Sequence, residues 1–185
     1  TRIKNYNIPT VFIERRPDNM NASFVGFDNV KTAYYLTENL LRKGYQNIAL
    51  ITGSQQFSSE AESIEGYRTA LQDYGRPVNP DLIRSANMTK EDGFKAFLTL
   101  PLLNQVDAVI TTSENAAQGV AEACKIHGSN PSEDIQILTF GEESWSRASL
   151  SGITHTSRTA FTLGQKAARL LMKNIESPVL FEERS

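Results

Sequence analysis

A strand–helix–strand unit between Phe24 and Gly53 constrains the fold more than any other stretch of the sequence. Phe24–Phe27 is short and apolar, which predicts the first strand. Ile48–Ile51 is apolar without alternation, which is typical of a parallel strand covered on both faces. The apolar residues between the strands recur at helical spacing and predict one buried helix face: Ala33, Leu36, Leu40 and Leu41.

The ends of this helix carry residues that helix ends favour. Asp28 or Asn29 can accept a hydrogen bond from the free N–H groups of the first turn. Lys43 places a cation near the negative end of the helix dipole, and Gly44 can close the helix in a left-handed conformation. The whole stretch is therefore predicted to be one βαβ unit.

Strands and helices alternate along the rest of the chain. The other predicted strands are Ile8–Ile13, Leu82–Ile83, Asp107–Thr111, Ile135–Phe140 and Gly152–Thr156. The other predicted helices are Glu60–Tyr74, Lys90–Leu100, Glu114–His127 and Phe161–Ile175. This alternation predicts an α/β fold built on a doubly wound parallel sheet.

The first two strands, Ile8–Ile13 and Phe24–Phe27, lie close together in the sequence. About a dozen residues separate them, which is too few for a helical crossover between parallel neighbours. We therefore expect them to pair antiparallel, or to belong to a sheet whose other members lie outside this chain.

Composition excludes several classes of protein. A net charge of -2 over 185 residues argues against a nucleic-acid surface on this chain itself, because duplex binding usually needs a basic face. No apolar run approaches the ~20 residues that would span a bilayer. One cysteine cannot form an internal disulfide, which favours a reducing cytoplasm.

Catalytic and metal motifs are scarce, so we predict neither an enzyme nor a cofactor nor a metal site. The sequence lacks a GxGxxG or GxxxxGK[ST] phosphate loop and a GxSxG nucleophile elbow. Cys124 and His127 could touch on one helix, but Cys124 continues an apolar stripe and is predicted to be structural. The adjacent carboxylates Glu91–Asp92 and Glu142–Glu143 are predicted to be solvated surface.

Short polar residues follow the predicted strands. They are Glu14, Ser54, Thr112–Ser113–Glu114 and Gly141–Glu142. Ligands of open parallel sheets bind outside the carboxyl ends of the strands. A row of small polar groups there suits a hydroxyl-rich ligand better than a metal or a nucleotide.

Across nearly its whole length the chain resembles the effector-binding core of LacI/GalR transcriptional repressors, a fold related to periplasmic sugar-binding proteins. The matching residues keep the family's order and spacing: Ile8–Pro9, Glu14–Arg15, Val25, Asp28–Asn29, Leu40 to Gly44, Ile48–Ala49 to Gly53, Gly66–Tyr67, Asp107 to Val109, Gly119, Ile137 to Phe140, Ile153–Thr154 and Gly164.

The resemblance implies two α/β subdomains of the periplasmic-binding-protein type, with a small effector between them. Residues 1–28 and 156–176 would be a remnant of the first subdomain, residues 29–155 a nearly complete second one, and residues 177–185 a C-terminal tail. A helix-turn-helix headpiece would precede this core outside the chain, and operator DNA would be bound only through it.

The resemblance also implies a set of ligand-binding residues: Glu14, Ser63, Met88, Ser113, Glu114, Gly141, Glu142 and Arg158. Several depart from the family pattern. Ser63 replaces an arginine, Met88 an aromatic residue, and Ser113–Glu114 the usual Asn-Asp. Gly141 stands where the family has a ligand-binding aspartate.

These departures lead to a hypothesis about the effector. A missing aspartate and an added Arg158 shift the cleft toward positive charge, and arginine binds carboxylates through paired hydrogen bonds. The effector would then be a sugar acid, and Trp145 resembles a feature of ketogluconate-type regulators. The alternative for Arg158 is a salt bridge between subdomains.

The function that the resemblance implies is effector sensing by a cytoplasmic regulator. The effector would be a sugar or sugar acid that controls operator binding allosterically, in a homodimer with contacts near Lys90 and Ser149–Leu150. The alternative is a periplasmic sugar-binding receptor of an ABC transporter, which shares the fold.

Overall fold

The computed structural model describes residues 8–15, 22–131, 133–141, 152–156, 159–177 and 182–184. The strands are β1 (Val11–Ile13), β2 (Ser23–Gly26), β3 (Ile48–Thr52), β4 (Ile83–Ser85), β5 (Ala108–Thr111), β6 (Gln136–Thr139), β7 (Ile153–His155) and β8 (Glu182–Arg184). The helices are α1 (Asn29–Arg42), α2 (Ser58–Asp73), α3 (Lys90–Leu98), α4 (Glu114–His127) and α5 (Ala160–Glu176).

The chain separates into two compact units. Unit 1 comprises Thr1–Asp28 and Thr159–Ser185, and unit 2 comprises Asn29–Arg158. Unit 2 contains a five-stranded sheet in the order β4-β3-β5-β6-β7, with every neighbouring pair parallel. The predicted α/β class with a parallel, doubly wound sheet is confirmed.

Both faces of the unit 2 sheet are covered by helices. Ile48 and Leu50 of β3 pack in the same cluster as residues of α1 and α2. Ala49 and Ile51, which point to the opposite face, pack in the same cluster as residues of α3 and α4. This double coverage explains why the β3 sequence is apolar without alternation.

Local signals in the βαβ unit predicted the helix end correctly. Gly44 has a φ of 92°, and its N–H donates to the Leu41 carbonyl at 3.0 Å. The predicted inner face of α1 also holds, since Ala33 and Leu40 are buried. Glycine is needed at position 44 because a side chain would be strained at this φ.

Glycines let the helices of unit 2 approach at backbone distance. A Cβ on Gly119 of α4 would overlap the Lys90 carbonyl of α3, and one on Gly93 of α3 would overlap the Ala116 carbonyl of α4. In the other helix layer, a Cβ on Gly66 would overlap the Val30 carbonyl of α1. Each contact therefore depends on the absence of a side chain.

Unit 1 contains a three-stranded parallel sheet in the order β1-β2-β8, packed by α5. Val25 of β2 forms a small core with three residues of α5, which are Leu163, Ala167 and Leu170. The buried Asn174 side chain of α5 donates to the Ser23 hydroxyl at 2.9 Å. The last described residues, assigned to a tail from the sequence, form β8 beside β2.

The antiparallel alternative for the first two strands was wrong, and the alternative of a sheet with members outside this chain stays a prediction. β1 and β2 are parallel and directly paired, with Val11 opposite Ser23. The strands are only three and four residues long, so the chain must return only ~10 Å, a distance that a short connection can span. The dozen-residue requirement applies to longer strands with a helical crossover.

Cys124 is expected to be inert toward thiol reagents in the native protein. Its side chain is fully buried in unit 2, as predicted, and burial raises its pKa to about 12. Because burial disfavours the thiolate, native labelling should be at least about a hundredfold slower than labelling in concentrated guanidinium. Absorbance-monitored disulfide exchange at pH 8 measures both rates, and equal rates would contradict the prediction.

None of the helices in the described part of the chain combines the length and apolar character needed to span a bilayer.

Candidate functional site

Three neighbouring strands of the unit 2 sheet end in a buried threonine. Thr52 ends β3, Thr111 ends β5 and Thr139 ends β6. The hydroxyls of Thr111 and Thr139 lie 2.8 Å apart. The residues that follow these threonines therefore emerge side by side at the carboxyl edge of the sheet, where ligands of such sheets bind.

Glu60 joins two of these strand ends. It lies in the first turn of α2, only 4% exposed, where the helix dipole favours a carboxylate. Its Oε2 accepts the Gly53 N–H at 2.9 Å and the Thr112 hydroxyl at 2.7 Å. The carboxylate thus fixes the chain beyond β3 relative to the chain beyond β5.

Met88 and Ser113 lie beside this carboxylate. The Ser113 hydroxyl donates to the Met88 carbonyl at 3.1 Å, and Ser113 is also the N-cap of α4. Met88 has a left-handed φ of 62°, and its sulfur lies next to Gly53. Both side chains are half-buried, so the structure brings these two predicted residues together at the edge.

Glu114 and Gly141 form a second group with His155 and Thr156. The Glu114 Oε1 lies 3.8 Å from the His155 Nε2, and Gly141 lies beside both side chains. The Gly141 N–H points to the Thr156 hydroxyl at 3.4 Å. Since Glu114 follows Ser113 directly, the two groups form a continuous polar edge from β3 to β7.

Ser63 and Glu14 are placed differently. Ser63 is 1% exposed on α2, and its hydroxyl donates to the Ser59 carbonyl at 2.8 Å. Glu14 belongs to unit 1, where its carboxylate accepts the Phe27 N–H at 3.0 Å and so ties the ends of β1 and β2. Glu142 and Arg158 lie outside the described residues, as do Trp145 and Ser149–Leu150.

A cavity of about 500 Å³ opens beside the ends of β3 and β4 and the adjacent face of α3. Its lining is mainly hydroxyls and amides, with one carboxylate and one ammonium group: Ser54, Gln55, Gln56, Ser85, Ala86, Asn87, Asp92, Lys95, Ala96 and Thr99. Of the described polar residues predicted at strand ends, Ser54 lines this cavity, whereas none of the described residues in the predicted ligand-binding set does. We place the site at the edge from β3 to β7, because the buried and half-buried polar groups converge there.

Sequence reasoning missed Glu60, His155 and Thr156 of this edge. Glu60 was not selected because it was taken as the beginning of a helix, and its fixed contacts come from β3 and β5. His155 was not selected because it lies inside a short predicted strand. Within the described ranges, no group of three or more metal-ligating side chains occurs.

Comparison with known families identifies the family of this chain. The family model for periplasmic binding proteins and the sugar binding domain of the LacI family matches residues 1–184. The chain belongs to this family. The resemblance drawn from the sequence is therefore confirmed, and the sheet edge described above lies in a domain of the LacI sugar-binding type.

Named relatives agree with the family model. The probable HTH-type transcriptional regulator EndR of Paenibacillus polymyxa is 27% identical over 177 residues, which cover 94% of this chain and 52% of the relative. The chain thus spans about half the length of the curated relatives that it matches.

Solved structures share the fold. A LacI family regulator from Enterococcus faecium with bound ribose superposes with a TM-score of 0.85 at 23% identity, covering 98% of this chain and 68% of that structure. The regulator CelR in complex with cellobiose gives a TM-score of 0.88 at 23% identity, covering 98% and 57%. At this identity the likeness establishes the fold alone.

Proposed function

We propose that this chain is the effector-sensing domain of a LacI-type transcriptional regulator. It binds a sugar or sugar acid at the carboxyl edge of the unit 2 sheet. The observation that supports this most directly is the polar edge of a LacI-family domain, where Ser113, Glu114 and Gly141 meet around the ends of parallel strands. The bound sugars of two solved neighbours support the ligand class.

The chemistry of the edge suits a hydroxyl-rich ligand. Glu114 and Ser113 are half-buried, so they can exchange contacts with water for contacts with a ligand. Carboxylates accept hydrogen bonds, hydroxyls donate and accept them, and a sugar offers both kinds of group. Glu60 holds the strand ends in place, which limits the ordering that binding requires.

A regulator is favoured over the periplasmic transport receptor. The two classes share one fold, so the fold does not separate them. The relatives named above are transcription regulators, and the first curated relatives are regulators rather than enzymes. On this basis we propose a regulator that acts in the cytoplasm without a catalytic step.

Control of DNA binding would follow from a shift between two conformations of the regulator. An effector that binds one arrangement of the regulator more tightly moves the equilibrium by the ratio of its two affinities. Operator DNA would be bound by a helix-turn-helix segment outside these 185 residues. Unit 1 would belong to the first subdomain and unit 2 to the second, in a C₂ homodimer with α3 as one contact.

Sugar binding is the first expected result. Titration calorimetry of the intact protein against ribose, cellobiose, glucose, gluconate and glucuronate should identify at least one ligand. At a free concentration of 100 times its dissociation constant, that ligand should raise the free energy of unfolding by about 2.7 kcal/mol, because it binds the folded state alone. The same ligand should change binding of operator DNA in a gel-shift titration.

Two variants locate the site. Glu114→Ala should weaken the ligand about tenfold or more, because it removes a hydrogen-bond acceptor from the sheet edge. Asn87→Ala, which alters the cavity beside β4, should leave affinity within about twofold. The opposite pattern would move the site to that cavity, and no binding of any sugar or sugar acid would refute the proposed function.

A further inference from the structure

His155 carries a buried nitrogen without a hydrogen-bond partner. It is the last residue of β7, its side chain is 6% exposed, and its Nε2 makes no hydrogen bond. Buried polar atoms of folded proteins almost always have a partner, and an exception calls for an explanation. The explanation has to come from the groups that surround this atom.

Glu114 is the group nearest to that nitrogen. Its Oε1 lies 3.8 Å from Nε2, which is beyond hydrogen-bond distance. The carboxylate has no other hydrogen bond to the described residues, and the side chain is 23% exposed. An acceptor and an imidazole nitrogen therefore face each other with both hydrogen bonds unmade.

Gly141 leaves room beside this pair. A Cβ at position 141 would lie 3.5 Å from His155 Cδ2 and 3.7 Å from Glu114 Oε2, with no other nonadjacent atom closer. These are ordinary van der Waals distances. A methyl group on residue 141 can thus occupy this position without displacing either side chain.

We propose that Glu114 and His155 together bind one hydroxyl group of the effector, and that this pair selects a neutral sugar over a sugar acid. The inference rests on the proposed function and assigns a chemical class to the ligand. An oxygen beside two atoms 3.8 Å apart can lie within 3 Å of both. A hydroxyl donates to the carboxylate and accepts from the imidazole N–H.

Other ligand groups satisfy the pair less well. A carboxylate has no proton to donate to Glu114 and adds a like charge beside it. An ammonium group donates to Glu114 but has no lone pair to accept an imidazole N–H. Of these three groups, only a hydroxyl supplies the donor and the acceptor on one atom.

Calorimetry of the intact protein with matched ligands tests this inference. Glucose, ribose and cellobiose are compared with gluconate and glucuronate. The best neutral sugar should bind at least about ten times more tightly than the best acid. The reason is that one unmatched hydrogen bond or charge raises the dissociation constant about tenfold. Glu114→Gln should narrow that ratio, since it removes the like charge and keeps the size.

Variants around the pair separate binding from folding. Gly141→Ala fills the open position with a methyl group and should weaken the neutral sugar about tenfold, with little effect on thermal unfolding. The matched control is Gly164→Ala, at a helix position where the new Cβ meets nothing within 4 Å beyond the backbone of its own helix, and it should leave affinity unchanged. His155→Gln keeps an N–H donor and should bind more tightly than His155→Leu.

The outcomes distinguish the two proposals. Neutral sugars that bind equally well to Gly141→Ala, Glu114→Gln and the parent protein would overturn the role of this pair and leave the proposed function standing. Sugar acids that bind more tightly than every neutral sugar would overturn the selectivity in the same way. Failure of all sugars and acids to bind would overturn both.

Discussion

Replacing Gly119 by alanine should lower the free energy of unfolding by about 3 kcal/mol, near the upper end of typical overpacking costs. The new Cβ would overlap the Lys90 carbonyl and lie 2.7 Å from the Phe94 backbone nitrogen. Both atoms belong to the backbone of α3, so no side chain can rotate away. The two helices must separate, which opens the core that they share with β3, β5 and β6.

Urea unfolding followed by circular dichroism measures this effect. Gly164→Ala is the matched control, because the same substitution there meets nothing within 4 Å beyond the backbone of its own helix. Alanine is the better helix former by about 1 kcal/mol, so the control should be neutral or stabilising. Equal stability of the Gly119→Ala variant and the parent would show that α3 and α4 are packed less closely than described.

Replacing Glu60 by alanine should also lower the free energy of unfolding by about 3 kcal/mol, and it should weaken effector binding. The substitution leaves the Gly53 N–H and the Thr112 hydroxyl without their acceptor in a buried environment. Each unsatisfied buried group costs about 1–3 kcal/mol, and hydrogen bonds to a charged acceptor lie at the stronger end. The strand ends that carry the proposed site would lose their common anchor.

Glu60→Gln separates the hydrogen bonds from the charge. Glutamine keeps one carbonyl acceptor for both donors, so this variant should lower the free energy of unfolding by only about 1 kcal/mol. Glu91→Ala, an exposed carboxylate on α3 that pairs with Lys95, should change stability by less than about 0.5 kcal/mol. If Glu60→Ala behaved like Glu91→Ala, the buried anchor would be refuted.

Signals within a few residues carried most of the fold prediction. α4 begins and ends at its predicted residues, because Ser113 caps its first turn and Gly128 closes it with a φ of 89°. The apolar run of β3 predicted a covered parallel strand, and its two faces do pack against different helix pairs. In each case the cause lies in neighbouring residues.

Contacts between distant residues were not predictable in the same way. The parallel pairing of β1 and β2 depends on a sheet register that no local pattern records. The rule about crossover length led to the antiparallel alternative, which was wrong, because the rule takes no account of how short both strands are. The C-terminal β8 was missed for a related reason, since only its pairing with β2 makes it a strand.

The residues of the candidate site also differ in how far the sequence could predict them. Ser113, Glu114 and Gly141 were selected because they follow predicted strands, and the parallel order brings them to one edge. Ser63 was selected by the resemblance, but its hydroxyl is held inside α2 by the Ser59 carbonyl. Residue type and position along the chain do not reveal whether such a hydroxyl bonds its own helix or faces a ligand.

By itself, the sequence determined the family, the parallel α/β class and the strand ends at which a ligand would be sought. The family follows from the resemblance of residues along nearly the whole chain. The class and the strand ends follow from periodicity, capping and spacing, which act over a few residues. Only the tertiary structure decided that Glu60 anchors two strand ends and that His155 faces Glu114 across an open position at Gly141. Most of those contacts join segments tens of residues apart, and packing in three dimensions alone brings them together.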